Sequence, residues 1–395
     1  LKISLSHSAT IEAADQISFF FAETRQIRLK GAKMNKKNKK TIAVVFGGCS
    51  TEYEVSLKSA CSVIEHLDLE KYQIILLGIT RHGEWLKYDG EINEILNDTW
   101  SSHKSCVPAV ISPDRTTRGL LVMNGGIPEK LPVDVVFPVL HGKNGEDGTM
   151  QGLLELAGIP FAGCGTLSSA LCMDKDIAHR LAALEGIKIT RTAILNLPSY
   201  HYDTDPNSEF DEILKAETTG MRYPLFVKPA NAGSSFGITK VEVAEDLETA
   251  VRAAAYHDSK ILVEEAVTGF EVGCAVLGNE VLTIGDLDEI ELTGGFFNFK
   301  EKYTLETSKI HLPARIDEDT TRRIKESAAV VYKALGCRGF ARVDFFLTPD
   351  REIYFNEVNT IPGFTDHSRY PSMLKNIGIS FGQLLDELIR LAVKG

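Results

Sequence analysis

The sequence predicts an α/β (α+β) protein, with an N-terminal parallel α/β domain followed by two further α+β domains. Three observations predict it. A continuous apolar run at 41–46 ends in Gly47-Gly48, as a buried parallel strand does before a ligand loop. Next, Leu57, Ala60, Cys61, Ile64 and Leu67 recur at helical spacing, so the chain reads strand, glycine turn, helix. Far downstream, runs at 343–347 and 353–358 flank Pro349-Asp350-Arg351-Glu352, which is the pattern of a hairpin.

Taken in order, residues 1–40 stand apart. They reach a short Phe19-Phe20-Phe21 run, but Glu12 and Asp15 lie where a signal peptide is basic. Met34 follows, then Lys36, Lys37, Lys39 and Lys40. The expectation is a disordered extension, with folding from about Thr41 and Met34 as the natural start. Runs at 74–79 and 133–140 add buried strands to the domain at 41–163. The second run ends at His141-Gly142 before a polar loop at 143–148, and ligand loops sit at such carboxyl ends. A central domain at 164–260 holds a helix, a polar connection at 200–207 and a strand leading to Lys228. The loop Gly233-Ser234-Ser235-Phe236-Gly237 follows directly. The last domain, 261–395, mixes strands with an amphipathic helix (Ile324, Ala328, Val331, Leu335) and the hairpin. Repeats, heptads and low-complexity linkers are absent from the sequence.

With 395 residues, 44% hydrophobic and 25% charged, the chain is long enough for two or three domains of ordinary globular composition. No apolar run spans a bilayer, so a soluble, cytoplasmic protein with no membrane partner is expected. A net charge of -11 argues against general nucleic-acid binding. Seven cysteines without C-x-x-C or Cys/His metal spacing read as small buried hydrophobes of a reduced compartment.

The hairpin carries the most chemistry. Symmetric pairing about its turn sets Asp344 opposite Glu357 and Arg342 opposite Asn359, with all four on one face. Val343, Phe345, Tyr354 and Val358 are expected on the other. Two opposed carboxylates repel, and Asp, Glu and Asn oxygens around one point suit Mg²⁺ beside substrate phosphates. A solvated polar face neutralised by Arg342 is the plainer alternative. In the glycine-serine loop, backbone N–H groups and hydroxyls can approach phosphate oxygens, with Lys228 within reach. Lys175, Glu264, Glu265 and Glu271 add a candidate phosphate cation and acceptors for a base and ribose; ordinary surface charges are the alternative. No G-x-G-x-x-G follows a strand and no G-x-x-x-x-G-K-[ST] occurs.

Five motifs in order resemble the ATP-grasp ligases, and within them the D-alanine–D-alanine ligase family. They are Gly47-Gly48-Cys49-Ser50-Thr51-Glu52-Tyr53-Glu54-Val55-Ser56; Leu140-His141-Gly142-Lys143-Asn144-Gly145-Glu146-Asp147-Gly148; Lys228-Pro229 with Gly233-Ser234-Ser235; Arg342-Val343-Asp344; and Asn356-Glu357-Val358-Asn359-Thr360-Ile361-Pro362-Gly363. The resemblance covers 41 to about 392 and implies an ATP-grasp fold whose last two domains clasp ATP. It implies that Glu52 holds the amino group of the first D-alanine and that His141 lies near its carboxylate. Lys175 and Lys228 would bind phosphates, with Ser234 and Ser235 ordering the site, and Glu264, Glu265 and Glu271 would hold adenine and ribose. Asp344, Glu357 and Asn359 match ligands of two Mg²⁺ ions, for which Mn²⁺ can substitute. Arg342 and Gly363 would form an oxyanion hole, Ser368 would bind the second carboxylate, and 293–313, with Lys302 and Tyr303, would close over ATP. The implied reaction passes through an acyl phosphate of D-alanine, and a homodimer is expected.

One departure bears on the second substrate. After His367-Ser368, where ligases making D-alanyl-D-alanine usually carry Leu or Met, this chain has Arg369-Tyr370. An arginine can donate to a hydroxyl that a methyl group lacks. Glu301-Lys302-Tyr303-Thr304, with Phe296-Phe297 and Asp288 before it, also resembles the D-alanine–D-serine ligases of vancomycin resistance. Retained Lys302-Tyr303 counts against D-lactate. The plainer alternative is that Arg369 only pairs with a carboxylate such as Asp366, leaving a D-alanine–D-alanine ligase. Another ATP-grasp carboxylate–amine ligase, a non-catalytic ATP-binding module and a Rossmann oxidoreductase are more distant readings.

Overall fold

The computed structural model describes residues 39–197, 208–231, 233, 237–292 and 308–394, and the chain from Lys40 onward forms one compact unit. Its first sheet contains β1 (Lys40–Gly47), β2 (Tyr72–Ile79), β3 (Trp85–Tyr88), β4 (Val107–Ile111), β5 (Gly119–Asn124), β6 (Ile127–Pro132) and β7 (Val135–Val139). Their order is β6-β5-β4-β3-β2-β1-β7. Only β2, β1 and β7 are parallel. β3 to β6 run antiparallel, so the parallel core expected of this domain is flanked on one side by an antiparallel extension. The reason is local. Gly125 and Gly126, both at positive φ, form a two-residue turn between β5 and β6, and such turns join only antiparallel strands.

β1 is buried on both faces. Ile42, Val44 and Phe46 share a core with the helix Tyr53–His66, and Ala43 and Val45 share another with Met150 and Leu154 of the helix Thr149–Ala157. The C-terminal helix Phe381–Lys394 returns to the first of these cores through Leu384, Leu385 and Leu388. Asp386 on that helix accepts hydrogen bonds from Lys71 and Tyr72 at 2.6 and 2.9 Å. The last and first parts of the chain are therefore packed together, which holds their ligand loops in register.

The second sheet is antiparallel, with β8 (Thr192–Asn196), β9 (Leu225–Pro229), β10 (Thr239–Val241) and β11 (Lys260–Glu265) in the order β10-β9-β11-β8. The helix Leu247–Ala255 covers it through Leu247, Ala250, Val251 and Ala254. The third sheet has β12 (Phe270–Leu277), β13 (Thr283–Leu292), β14 (Ser308–His311), β15 (Phe340–Leu347) and β16 (Ile353–Asn359), in the order β14-β13-β12-β15-β16. Ile324, Ala328 and Val331 of the helix Glu318–Ala334 are fully buried against it, as their spacing predicts.

The hairpin pairs Asp344 with Glu357 and Arg342 with Asn359, as the sequence predicts. Its register shifts between Asp344 and Phe345, because Asn356 is an extra residue on β16. The bulge turns Phe355 and Ile353 into the core and leaves Tyr354 outside it, so the expectation for Tyr354 is corrected. Five of the seven cysteines are buried, all are free, and Cys49 is exposed. No helix among the described residues is long and apolar enough to cross a membrane.

Candidate active site

The loops after β1 and β7 meet at Glu52. This residue stands at the start of the helix Tyr53–His66 and is only 7% exposed. Gly142, at φ +73°, passes so close that a Cβ there would lie 2.5 Å from Glu52 Oε2. Gly233, from the loop after β9, approaches the same oxygen, and its Cβ would lie 2.8 Å away. A buried carboxylate enclosed by backbone is thus shared by loops of the first and second sheets.

His141 connects this point to the third sheet. Its Nδ1–H donates to the Ile361 carbonyl at 2.9 Å, and Nε2 accepts from Ser59 Oγ at 3.1 Å. Ser59 Oγ in turn accepts the Phe364 N–H at 3.2 Å, so its own proton is free for the imidazole. The ring is neutral in this arrangement. Burial holds its pKa below the usual histidine range, against the opposing pull of Glu52 and the bond to Ile361. Glu146 completes a clamp on Ile361, accepting the Ile361 N–H at 3.0 Å and the Gly142 N–H at 2.7 Å. Burial and then the charge of Glu52 raise the Glu146 carboxyl to about 8, although both backbone bonds oppose the rise. Ser59 and Glu146 are contributors that the sequence alone does not assign. Glu146 lies within one of the five motifs, whereas Ser59 leaves no signal beyond its place on a helix.

The lysines gather beside the hairpin. Lys228 Nζ lies 2.7 Å from Glu264 Oε2, and Lys175 Nζ lies 3.2 Å from Glu357 Oε2. His179, one helical turn after Lys175, donates from Nε2 to the Asn356 carbonyl at 2.7 Å, and its Nδ1 faces Glu264 Oε1 at 3.7 Å. Burial lowers its pKa, and Lys228 and Lys175 add to this while Glu264 opposes. Helical spacing from Lys175 is the sequence signal that points to it.

The polar face of the hairpin is an ion network. Arg342 forks onto Asp344 with Nε and Nη2 at 2.8 and 2.7 Å, and Asn359 Nδ2 reaches Asp344 Oδ2 at 2.9 Å. Arg369 binds Asp288 through Nε and Nη2 at 2.6 and 2.8 Å, and Glu271 through Nη1 at 2.8 Å. It therefore pairs with carboxylates, but with Asp288 and Glu271 rather than Asp366, which faces His367. Ser368 begins the helix Arg369–Asn376, and its Oγ accepts the Thr365 N–H at 3.0 Å. Gly363 lies close by, where a Cβ would be 3.3 Å from Ser368 Oγ. A helix N-terminus beside this hydroxyl favours a substrate carboxylate.

The structure separates the three glutamates grouped in the sequence. Glu264 points toward Lys228 and His179, whereas its strand neighbour Glu265 points the opposite way, into Arg222 at 2.9 Å and Arg191 at 3.4 Å. Glu271 belongs to the Arg369 cluster on the third sheet. Ser234, Ser235, Phe297, Lys302 and Tyr303, with 293–307 of the expected closing loop, lie outside the described residues, as do 1–38 and 200–207. For a metal, the donors fit in kind: Asp344, Glu357 and Asn359 supply two carboxylates and an amide oxygen. Among the described residues no three His, Cys, Asp or Glu side chains converge on a metal site alone. Phosphate oxygens would complete the shell, the usual mode for Mg²⁺. Lys175, Lys228 and Arg342, each paired here with a carboxylate, supply three cations that a polyphosphate could take as partners.

Comparison with known proteins matches this arrangement to one family over nearly the whole chain. The D-ala D-ala ligase N-terminus model matches residues 41–164, and the D-ala D-ala ligase C-terminus model matches 189–390. The D-alanine–D-alanine ligase of Caldicellulosiruptor bescii is 45% identical, over 89% of this chain and 95% of that protein. The vancomycin B-type resistance protein VanB of Enterococcus faecalis is 45% identical, over 90% of this chain and 99% of that protein. The crystal structure of VanG D-Ala:D-Ser ligase from Enterococcus faecalis superposes with a TM-score of 0.82 at 54% identity, covering 90% of this chain and all of that one. The chain belongs to the D-alanine–D-alanine ligase family: it is a D-alanine–D-X ligase of the ATP-grasp fold, an enzyme that joins a carboxylate to an amine with ATP as co-substrate.

Proposed function

We propose that the second substrate is D-serine and that the product is D-alanyl-D-serine for a vancomycin-resistant cell wall. The observation that carries this is Arg369, placed next to Ser368 and held in a fixed plane by Asp288 and Glu271. A guanidinium has five N–H donors, and the three bonds to Asp288 and Glu271 leave capacity for a substrate hydroxyl. The 54% identity to a protein described as a D-Ala:D-Ser ligase supports the same reading.

In this proposal Glu52 receives the ammonium of the first D-alanine, and neutral His141 lies beside its carboxylate. Lys175 and Lys228 take the phosphates, the family resemblance adds Ser234, Ser235, Lys302 and Tyr303 to the ATP site, and Glu264 takes the adenine amino group. The family resemblance gives Glu265 and Glu271 to adenine and ribose as well, and in this structure they pair with Arg222 and Arg369. The γ-phosphoryl group passes to the D-alanine carboxylate, because a carboxylate is a poor acyl donor and an acyl phosphate is a good one. The amine of the second substrate, its carboxylate at Ser368, then attacks the acyl carbon, and phosphate leaves. Arg342 and the Gly363 N–H stabilise the tetrahedral oxyanion. Asp344, Glu357 and Asn359 would hold Mg²⁺ or Mn²⁺, which supplies neutralisation of phosphoryl charge. A homodimer working in the cytoplasm is part of the proposal, drawn from the family resemblance.

The test is a competition with ATP, Mg²⁺, D-alanine and an equal amount of D-serine, with both dipeptides read by mass spectrometry. Mostly D-alanyl-D-serine is expected. Mostly D-alanyl-D-alanine would return the enzyme to the housekeeping reaction and remove Arg369 as a hydroxyl donor.

A further inference from the structure

We propose that Lys175 and His179, one turn apart on the helix Lys175–Leu184, form a latch that holds the Asn356-Glu357 segment and excludes a divalent cation until nucleotide is present. The inference rests on the metal reading of Asp344, Glu357 and Asn359.

The latch is visible in two contacts from one helix face. Lys175 Nζ sits 3.2 Å from Glu357 Oε2, with the two side chains only 8% and 18% exposed. His179 Nε2–H bonds the Asn356 carbonyl at 2.7 Å, and its ring packs edge-on against Phe355 at 5.4 Å. Asn356 is the bulged residue, so the histidine holds the irregular backbone that aims Glu357. The helix itself cannot drift. The Lys175 N–H donates to the Ala230 carbonyl at 3.2 Å, and Asp174, its N-cap, accepts the Ile177 N–H and binds Lys260 Nζ at 2.7 Å.

An ammonium in this place already neutralises the carboxylate that a metal would use. A divalent cation bonds carboxylate oxygen at about 2.1 Å and would be repelled by an ammonium on the same group. Asp344 is likewise occupied, by the Arg342 fork and by the Asn359 amide N–H. The described side chains alone also do not complete a metal shell. A triphosphate changes both terms at once. It offers Lys175 a more highly charged partner, which frees Glu357, and it brings oxygens that fill the metal's remaining positions. Metal and nucleotide then each strengthen the binding of the other, and by linkage the effect is reciprocal.

The test uses the full chain, MnCl₂ and ADP, with free Mn²⁺ measured by electron paramagnetic resonance. Wild-type protein is expected to bind Mn²⁺ weakly alone and strongly with ADP. Lys175→Met is expected to tighten nucleotide-free Mn²⁺ binding by roughly ten-fold, the order expected for removing one charge near a partly solvated carboxylate. Lys175→Arg, which keeps the charge, is expected to stay near wild type. Equal nucleotide-free affinity in wild type and Lys175→Met, with both folded by circular dichroism, would overturn the latch while leaving the metal site standing. Mn²⁺ that fails to bind even with ADP would remove the metal reading itself, and the latch with it. Loss of the ADP-supported signal in Glu357→Gln identifies the site being read.

Discussion

Arg369→Met tests the ion network most directly. Arg369 holds Asp288, which is 1% exposed, with two bonds at 2.6 and 2.8 Å, and it also holds Glu271. Asp344, also 1% exposed, lies 3.6 Å away. Around this point stand two guanidinium groups, Arg342 and Arg369, against three carboxylates, so removing one cation leaves one against three. A unit pair at about 4 Å in an environment of effective dielectric near 20 is worth about 4 kcal/mol. Breaking a buried pair by deleting one partner costs about 3–5 kcal/mol, in agreement. The single variant is therefore expected to lose about 3–5 kcal/mol in urea unfolding. Arg369→Met with Asp288→Asn is expected to recover much of that loss, because the orphaned charge is gone. The double variant is also the cleaner test of specificity, since a change in product ratio there is not a consequence of an unfolding site. A single variant within about 1 kcal/mol of wild type would refute the reasoning, as it would show that Asp288 is not dependent on the guanidinium.

Glu146 makes a prediction about pH. Its carboxyl titrates at about 8 when folded, against about 4.3 in an unfolded chain. The folded state therefore keeps a proton that the unfolded state has lost, and stability from this group falls as pH rises across that window, levelling off above it. The difference in melting temperature between wild type and Glu146→Gln should move against wild type between pH 5 and 8; a flat difference would contradict the raised carboxyl. Ser59→Ala leaves the Phe364 N–H and His141 Nε2 without their shared hydroxyl and is expected to cost about 1–3 kcal/mol, with a lower kcat. Wild-type stability and turnover in that variant would show that the bridge is dispensable. Gly142→Ala should abolish D-alanine-dependent turnover, because its Cβ would intrude on Glu52 and its φ of +73° is unfavourable for alanine. Retained turnover would mean that the loop after β7 can move away from Glu52.

Much of the site is legible in the sequence because it lies on regular elements. In the hairpin, strand alternation and a central turn are enough to set Asp344 against Glu357 and Arg342 against Asn359. The helix Glu318–Ala334 follows from apolar periodicity, and strand β1 from a continuous apolar run. Tyr354 escapes the alternation because a bulge shifts side-chain direction by one residue, and nothing in the local pattern at Asn356 announces it. Glu264 and Glu265 group by adjacency in the sequence, although neighbours on a strand face opposite ways.

The sequence by itself therefore determined the local elements, the motif order and with it the family, because periodicity and turn chemistry act between residues close in the chain. Only the tertiary structure decided which charges meet. The pairing of Arg369 with Asp288, 81 residues away, depends on a crossing between a helix and a strand. So does the reach of His141 to Ile361, 220 residues on, depend on packing, because buried polar groups take whatever partner the folded backbone brings within about 3 Å.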